Sequence, residues 1–262
     1  AENLKLLLAS KGILHGHTMQ HFIPLAAAIG NNFELADVLL RKLGAAGDPQ
    51  FRTMLVRTLT ELENAAQRAL PQLGEELKQA ENQLQLAWQS RGPALLRRIG
   101  ELTEPRMIAE QGTVLAMIEA MGDAWAAYPQ YNLVSAAHPQ GPADADLIST
   151  RLAWLLAQLQ IDLPAYADGL TRSGPAVVGA LGLVPATLAA VASEASASAP
   201  HLPPQLGEAC DEASIRRALE MWLPQAETGQ TPEILAGWWE TYTSGGGSWP
   251  VALAALDRLL AS

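Results

Sequence analysis

The sequence predicts an all-α protein built as two helical regions, a helical bundle followed by a second, smaller helical domain. Three observations carry that expectation. Apolar residues make up 49% of the chain. Their excess is Ala and Leu, which lose little side-chain entropy in a helix, rather than the β-branched and aromatic residues that strands favour. Apolar side chains recur in steps of three and four from Phe51 to Ala87, the period of a helix face packed on its neighbours. Pro129, Pro139, Gly141 and Pro142 then interrupt the helical pattern. They divide the chain into a bundle over 1–128, a linker over 129–144 and a helical domain over 145–262.

The first helix is expected from about Glu2 to Ser10, closing near Gly12. A second starts near Thr18, carries Pro24 and ends at Gly30-Asn31. Asn32 caps a third over Phe33–Leu43, with Leu35, Val38, Leu39 and Leu43 on one face. Asp48-Pro49 marks a helix start, a capping carboxylate followed by proline at the first helical position. The stripe that follows is Phe51, Leu55, Leu59, Leu62, Ala66, Ala69, Leu73, Leu77, Ala80, Leu84 and Ala87. Pro71 and Gly74 break it, because proline inside a helix costs about 3 kcal/mol. Helices are next expected at Pro93–Gly100 and Pro105–Tyr128. In the second region, Asp146–Gln160 sets Ile148, Leu152, Leu155 and Leu159 on one face. A loop is expected at Ser193–Leu206. Helices at Asp211–Leu223, Pro232–Tyr242 and Pro250–Ala261 close the chain, the last two joined by the flexible stretch Ser244–Ser248. No fixed-period repeat supports a solenoid.

Charge divides the chain unevenly. Through Glu110, twelve basic residues balance twelve acidic ones. From Gln111 onward only Arg151, Arg172, Arg216, Arg217 and Arg258 face fifteen acidic side chains, so the net charge of -10 belongs to the second half. Nucleic-acid affinity comes mainly from clustered Lys and Arg. Residues 111–262 are therefore a poor nucleic-acid surface, and their field repels anionic membranes. The uncharged run between Arg172 and Glu194 contains Gly174, Pro175, Gly179, Gly182 and Pro185 and reads as buried helices with turns rather than a membrane span. One cysteine, Cys210, excludes an internal disulfide and a thiolate-rich metal site, and its plain reading is a small buried residue. Few cysteines and the lack of a secretory pattern at the N-terminus lead to the expectation of a cytoplasmic protein.

His15, His17 and His21 form the densest chemical cluster, three of the five histidines within seven residues. With a helix starting near Thr18, His17 and His21 share a face and His15 adds a ligand from the preceding loop, a set suited to zinc or another transition metal. No other cofactor is suggested. The neighbouring Glu of a metalloprotease helix is missing. Carboxylate pairs at Glu61/Glu63, Glu75/Glu76, Asp144/Asp146 and Asp211/Glu212 lie on polar faces or helix starts, the routine place for acidic side chains. Gly245-Gly246-Gly247 lacks the lysine of a phosphate-binding loop, and no Gly-x-Ser-x-Gly elbow occurs. Near the C-terminus, Trp222, Trp238, Trp239 and Trp249 crowd together with Tyr242. Neighbours on a helix point about 100° apart, so Trp238 and Trp239 are not expected to face one core. Trp238, Trp239, Tyr242 and Trp249 are the expected partner-binding residues, aromatic anchors for another protein or for self-association; the alternative is that the pair bridges the two helical regions.

Residues Leu147 to Ala192 resemble the phage-repressor type of helix-turn-helix domain. Arg151, Leu152 and Leu155 match the packing positions of the family's first helix. Ile161-Asp162-Leu163 matches the turn, and Tyr166, Ala167 and Leu170 the second helix. Ser173 sits at the next turn, Val177 and Val178 in the recognition helix, and Pro185, Leu188 and Ala192 in the helix after it. The resemblance covers about a sixth of the chain and implies a DNA-binding regulator. Gly174 to Leu183, however, carries no polar side chain to read a base.

Three functions therefore compete. The first is a non-catalytic helical interaction or regulatory module, which the lack of a catalytic constellation favours. The others are a helix-turn-helix transcriptional regulator and a metal- or cofactor-binding helical protein using the histidine cluster.

Overall fold

The computed structural model describes residues 2–118, 125–138, 145–170, 174–198, 210–224 and 229–261. Most of them are helical, in eleven α-helices, and a small three-stranded sheet interrupts the helical order. The chain divides into two compact units, residues 1–78 and 79–262. The division falls inside a helix rather than in the expected 129–144 linker.

The first unit contains α1 (Glu2–Ala9), α2 (His15–Ala28), α3 (Asn32–Lys42), α4 (Pro49–Ala69) and the start of α5 (Leu73–Leu102). Asn31, one residue earlier than expected, caps α3 by accepting from the Phe33 and Glu34 amides at 2.8 and 3.2 Å. Asp48 caps α4 by accepting from the Phe51 amide at 2.9 Å and also pairs with Lys11. The Lys11 hydrogen bond, with the Phe51 amide second, holds the Asp48 carboxyl below the usual carboxylate range. Leu35, Leu39 and Leu40 of α3 are buried, as are Phe51, Leu55 and Leu59 of α4 and Leu4, Leu7 and Leu8 of α1, the product of their three- and four-residue spacing. The expected break near Pro71 and Gly74 is present.

The second unit departs further from expectation. α5 runs unbroken through Pro93, so no separate helix starts there. Gly92 makes room beside it: a Cβ at that position would lie 2.1 Å from the Trp88 ring. The helix expected over Pro105–Tyr128 is replaced by a 3-10 turn at Pro105–Met107, β1 (Thr113–Ile118) and β2 (Ala126–Tyr128). The expected linker instead supplies a 3-10 turn at Pro129–Tyr131 and β3 (Leu133–His138); its remainder, 139–144, lies outside the described residues. β3 is the central strand, parallel to β1 and antiparallel to β2. A short apolar run such as Thr113–Ile118 has no period that separates strand from buried helix, and its hydrogen-bond partner lies twenty residues away. Leu133, Val134, Ser135, Ala136 and Ala137 are all buried.

α6 (Ala145–Leu156) packs on β3, and a short α7 (Pro164–Ala167) follows. α8 (Pro175–Ser198) is the central helix, with α6, α9 (Glu212–Trp222), α10 (Thr231–Gly245) and α11 (Trp249–Leu260) against it. A helix apolar on all sides has to be enclosed. The Pro175–Glu194 stretch, long and apolar enough to cross a membrane, is 67% buried in this unit. It continues through Pro185 and extends to Ser198, into the stretch expected to begin a loop; residues 199–206 of that loop lie outside the described residues. The helix-turn-helix resemblance implies two helices where α8 is one; of the two residues it places in the recognition helix, Val177 is 50% exposed and Val178 is buried. Ser173, at its turn, lies outside the described residues.

Candidate functional site

The expected site residues divide between core and surface. Trp238, Trp239 and Trp249 are buried, so both of the first two rings are covered within the chain. α10 is enclosed by α9, α8 and α11, so side chains 100° apart on it both meet protein. The Trp238 indole donates to the Ala252 carbonyl at 2.7 Å, and the Trp239 indole donates to the Cys210 thiol. Tyr242 stacks on Trp238 at 6.1 Å, and its hydroxyl faces the Leu102 and Thr103 carbonyls at 3.1 and 3.2 Å. These residues join α10 to α5, α9 and α11.

The histidines also differ from expectation. α2 starts at His15, so all three lie on one helix. His15 and His17 are two positions apart, about 200° around the axis, and cannot converge. His17 and His21 do meet edge to face, 5.1 Å between ring centroids. Burial, then His17, then Lys42 hold His21 below the ordinary histidine range. Among the described residues no group of three or more His, Cys, Asp or Glu side chains is placed to hold a metal ion. Of the carboxylate pairs, Asp144 lies outside the described residues, and Asp211 caps α9 by accepting from the Ser214 amide at 2.7 Å.

Cys210 is buried, and its thiol lies 3.3 Å from the Pro185 carbonyl. Burial pushes the thiol up to about 12. It is therefore protonated across the physiological range and a poor nucleophile. A thiol-reactive disulfide reagent should leave the native protein unmodified at pH 8 and label one thiol per chain after unfolding. Rapid labelling of native protein would contradict that placement.

A different set of residues forms a cleft of about 240 Å³, lined by Trp125, Ala137, Leu147, Ile148, Arg151, Met221 and Trp222. Leu147, Ile148 and Arg151 come from one side of α6, spaced three and four residues apart. Ala137 is the penultimate residue of β3, Trp125 precedes β2, and Met221 and Trp222 end α9. Leu147 and Met221 are 42% and 41% exposed and form the rim, whereas Trp222 and Ile148 are buried.

Arg151 dominates the chemistry of the cleft. Its guanidinium lies over the Trp125 ring, 4.5 Å from the centroid. Its Nε is buried without a hydrogen-bond partner, and no ion pair reaches it among the described residues. The acid nearest in sequence on α6, Asp146, is bridged instead by Arg91 at 3.2 Å, and Arg91 also reaches Glu194 at 3.4 Å. Desolvation lowers the Arg151 pKa to about 10, which leaves it charged at neutral pH. The Trp222 indole N–H is a second buried donor without an acceptor. Its ring rests 5.4 Å from Trp154, whose own indole donates to the Ala180 carbonyl at 3.0 Å. Most buried polar groups in folded proteins are paired, so two orphan donors on residues of one cleft stand out.

Part of this cleft is visible in the amino-acid sequence. Arg151 is flanked at three and four residues on either side by Leu147, Ile148, Trp154 and Leu155, which leaves a cation on an apolar helix face with no local acid. No protein-family model matches this chain, and neither the curated proteins nor the solved structures contain a match.

Proposed function

We propose that this chain is a non-catalytic regulatory module that works by binding, and that its second unit receives a small ligand in the Arg151 cleft. The observation that carries this reading is the unpaired guanidinium held on Trp125 at the cleft. A desolvated charge without a partner is costly to the fold and is relieved when an anion arrives. Concave, mostly apolar sites with a few convergent polar groups are the usual form of a ligand site. The lining side chains are apolar, aromatic or guanidinium, and none is a nucleophile or a general base at neutral pH.

The expected partner contact through the C-terminal tryptophans loses its support because those rings are core. DNA reading through α8 lacks a side chain to carry it, because Gly174 to Leu183 has no polar group. The test is thermal denaturation of the full chain against a panel of small organic anions and neutral compounds. A saturable rise in Tm that disappears in Arg151→Met supports the reading. Absence of any such rise, or chemical conversion of the compound that binds, overturns it.

A further inference from the structure

We infer that the Arg151 cleft selects a small monocarboxylate with a flat apolar body, of the size and kind of benzoate. This rests on reading the cleft as a ligand site, and it names the ligand's chemical class.

The charge count selects a monoanion. Arg151 is the one charged side chain that lines the cleft. A phosphate at neutral pH carries more charge and more acceptor oxygens than a single guanidinium satisfies. The half of the chain around the cleft has five basic and fifteen acidic residues, a field that opposes multiply charged anions.

The geometry selects a carboxylate among monoanions. Trp125 covers one face of the guanidinium. A guanidinium is a planar fork that grips two carboxylate oxygens side by side. The walls select the body. Trp222, Ile148, Leu147 and Ala137 offer only apolar surface, and the thioether of Met221 adapts its shape at the rim. The volume of about 240 Å³ falls below the roughly 300–1,000 Å³ of sites for drug-sized ligands, so the body is no larger than a ring or short chain.

The experiment is calorimetric titration of the full chain at pH 7 with four probes: benzoate, its neutral counterpart benzamide, inorganic phosphate and acetate. Benzoate should bind with one site per chain, and the other three should bind at least about tenfold more weakly, because each lacks either the charge pairing or the apolar body. Arg151→Met should lose benzoate binding while its unliganded Tm equals or exceeds that of the parent, because the substitution removes a desolvated charge at similar volume. Arg151→Lys should retain only weak binding, because a point charge lacks the fork. Phosphate or benzamide binding as well as benzoate overturns the carboxylate assignment and leaves the cleft as a ligand site. Failure of all four probes, or benzoate binding unchanged in a folded Arg151→Met, overturns the site itself.

Discussion

Trp238→Ala should lower the stability of the folded chain by about 3–5 kcal/mol, the range for truncating a buried aromatic ring. Trp238 is 4% exposed, and its indole donates to Ala252. Its ring lies 6.1 Å from Tyr242 and 5.7 Å from Trp249. Truncation opens a cavity among α8, α10 and α11 and removes the tie to the Ala252 carbonyl. Trp238→Phe keeps a ring in the gap and loses the hydrogen bond, so its cost should be smaller, about 1–2 kcal/mol. Urea denaturation followed by far-UV circular dichroism measures both. A midpoint unchanged in the alanine variant would place the ring outside the core and restore it as a candidate surface anchor.

Two glycine substitutions should act in opposite directions. A Cβ at Gly179 on α8 would sit 2.3 Å from Ile161 Cγ1 and 3.3 Å from its Cβ. Ile161 is 1% exposed and branched at Cβ, so it has little freedom to turn away. Overpacking of about 1–3 kcal/mol is set against the roughly 1 kcal/mol that alanine gains over glycine in a helix, for a net loss of up to about 2 kcal/mol. Gly237 on α10 is exposed and has nothing within 4 Å of the added carbon. Gly237→Ala should therefore raise stability by about 0.5–1 kcal/mol. The same denaturation curves decide both, and equal effects at the two positions would contradict the packing of α8 on Ile161.

Helices with a polar face and strong caps were legible from the sequence. Asp48-Pro49 and the Phe51–Leu59 spacing produce α4 where expected, and Asp211 starts the helix that ends at Trp222. The sheet was not legible, because β1 and β3 exist only through pairing across twenty residues and their short apolar runs suit a buried helix equally well. Continuity through Pro93 and Pro185 was also hidden, because tertiary packing offsets a local penalty that sequence reasoning charges in full. The tryptophans misled for a related reason. The rule that adjacent helical residues diverge holds, but enclosure of α10 on more than one side buries both directions. Arg151 carried a readable signal in its acid-free helix face. Its cleft did not, because Trp125, Ala137 and Trp222 converge on it from three other segments.

The most direct test is the tryptophan indole ¹H–¹⁵N spectrum of the full chain recorded with and without benzoate. The signals of Trp125 and Trp222 should move together and saturate, while those of Trp238, Trp239 and Trp249 stay fixed. Movement confined to Trp238 and Trp239, or no movement at any indole, would contradict an aromatic core with a separate, Arg151-centred ligand cleft.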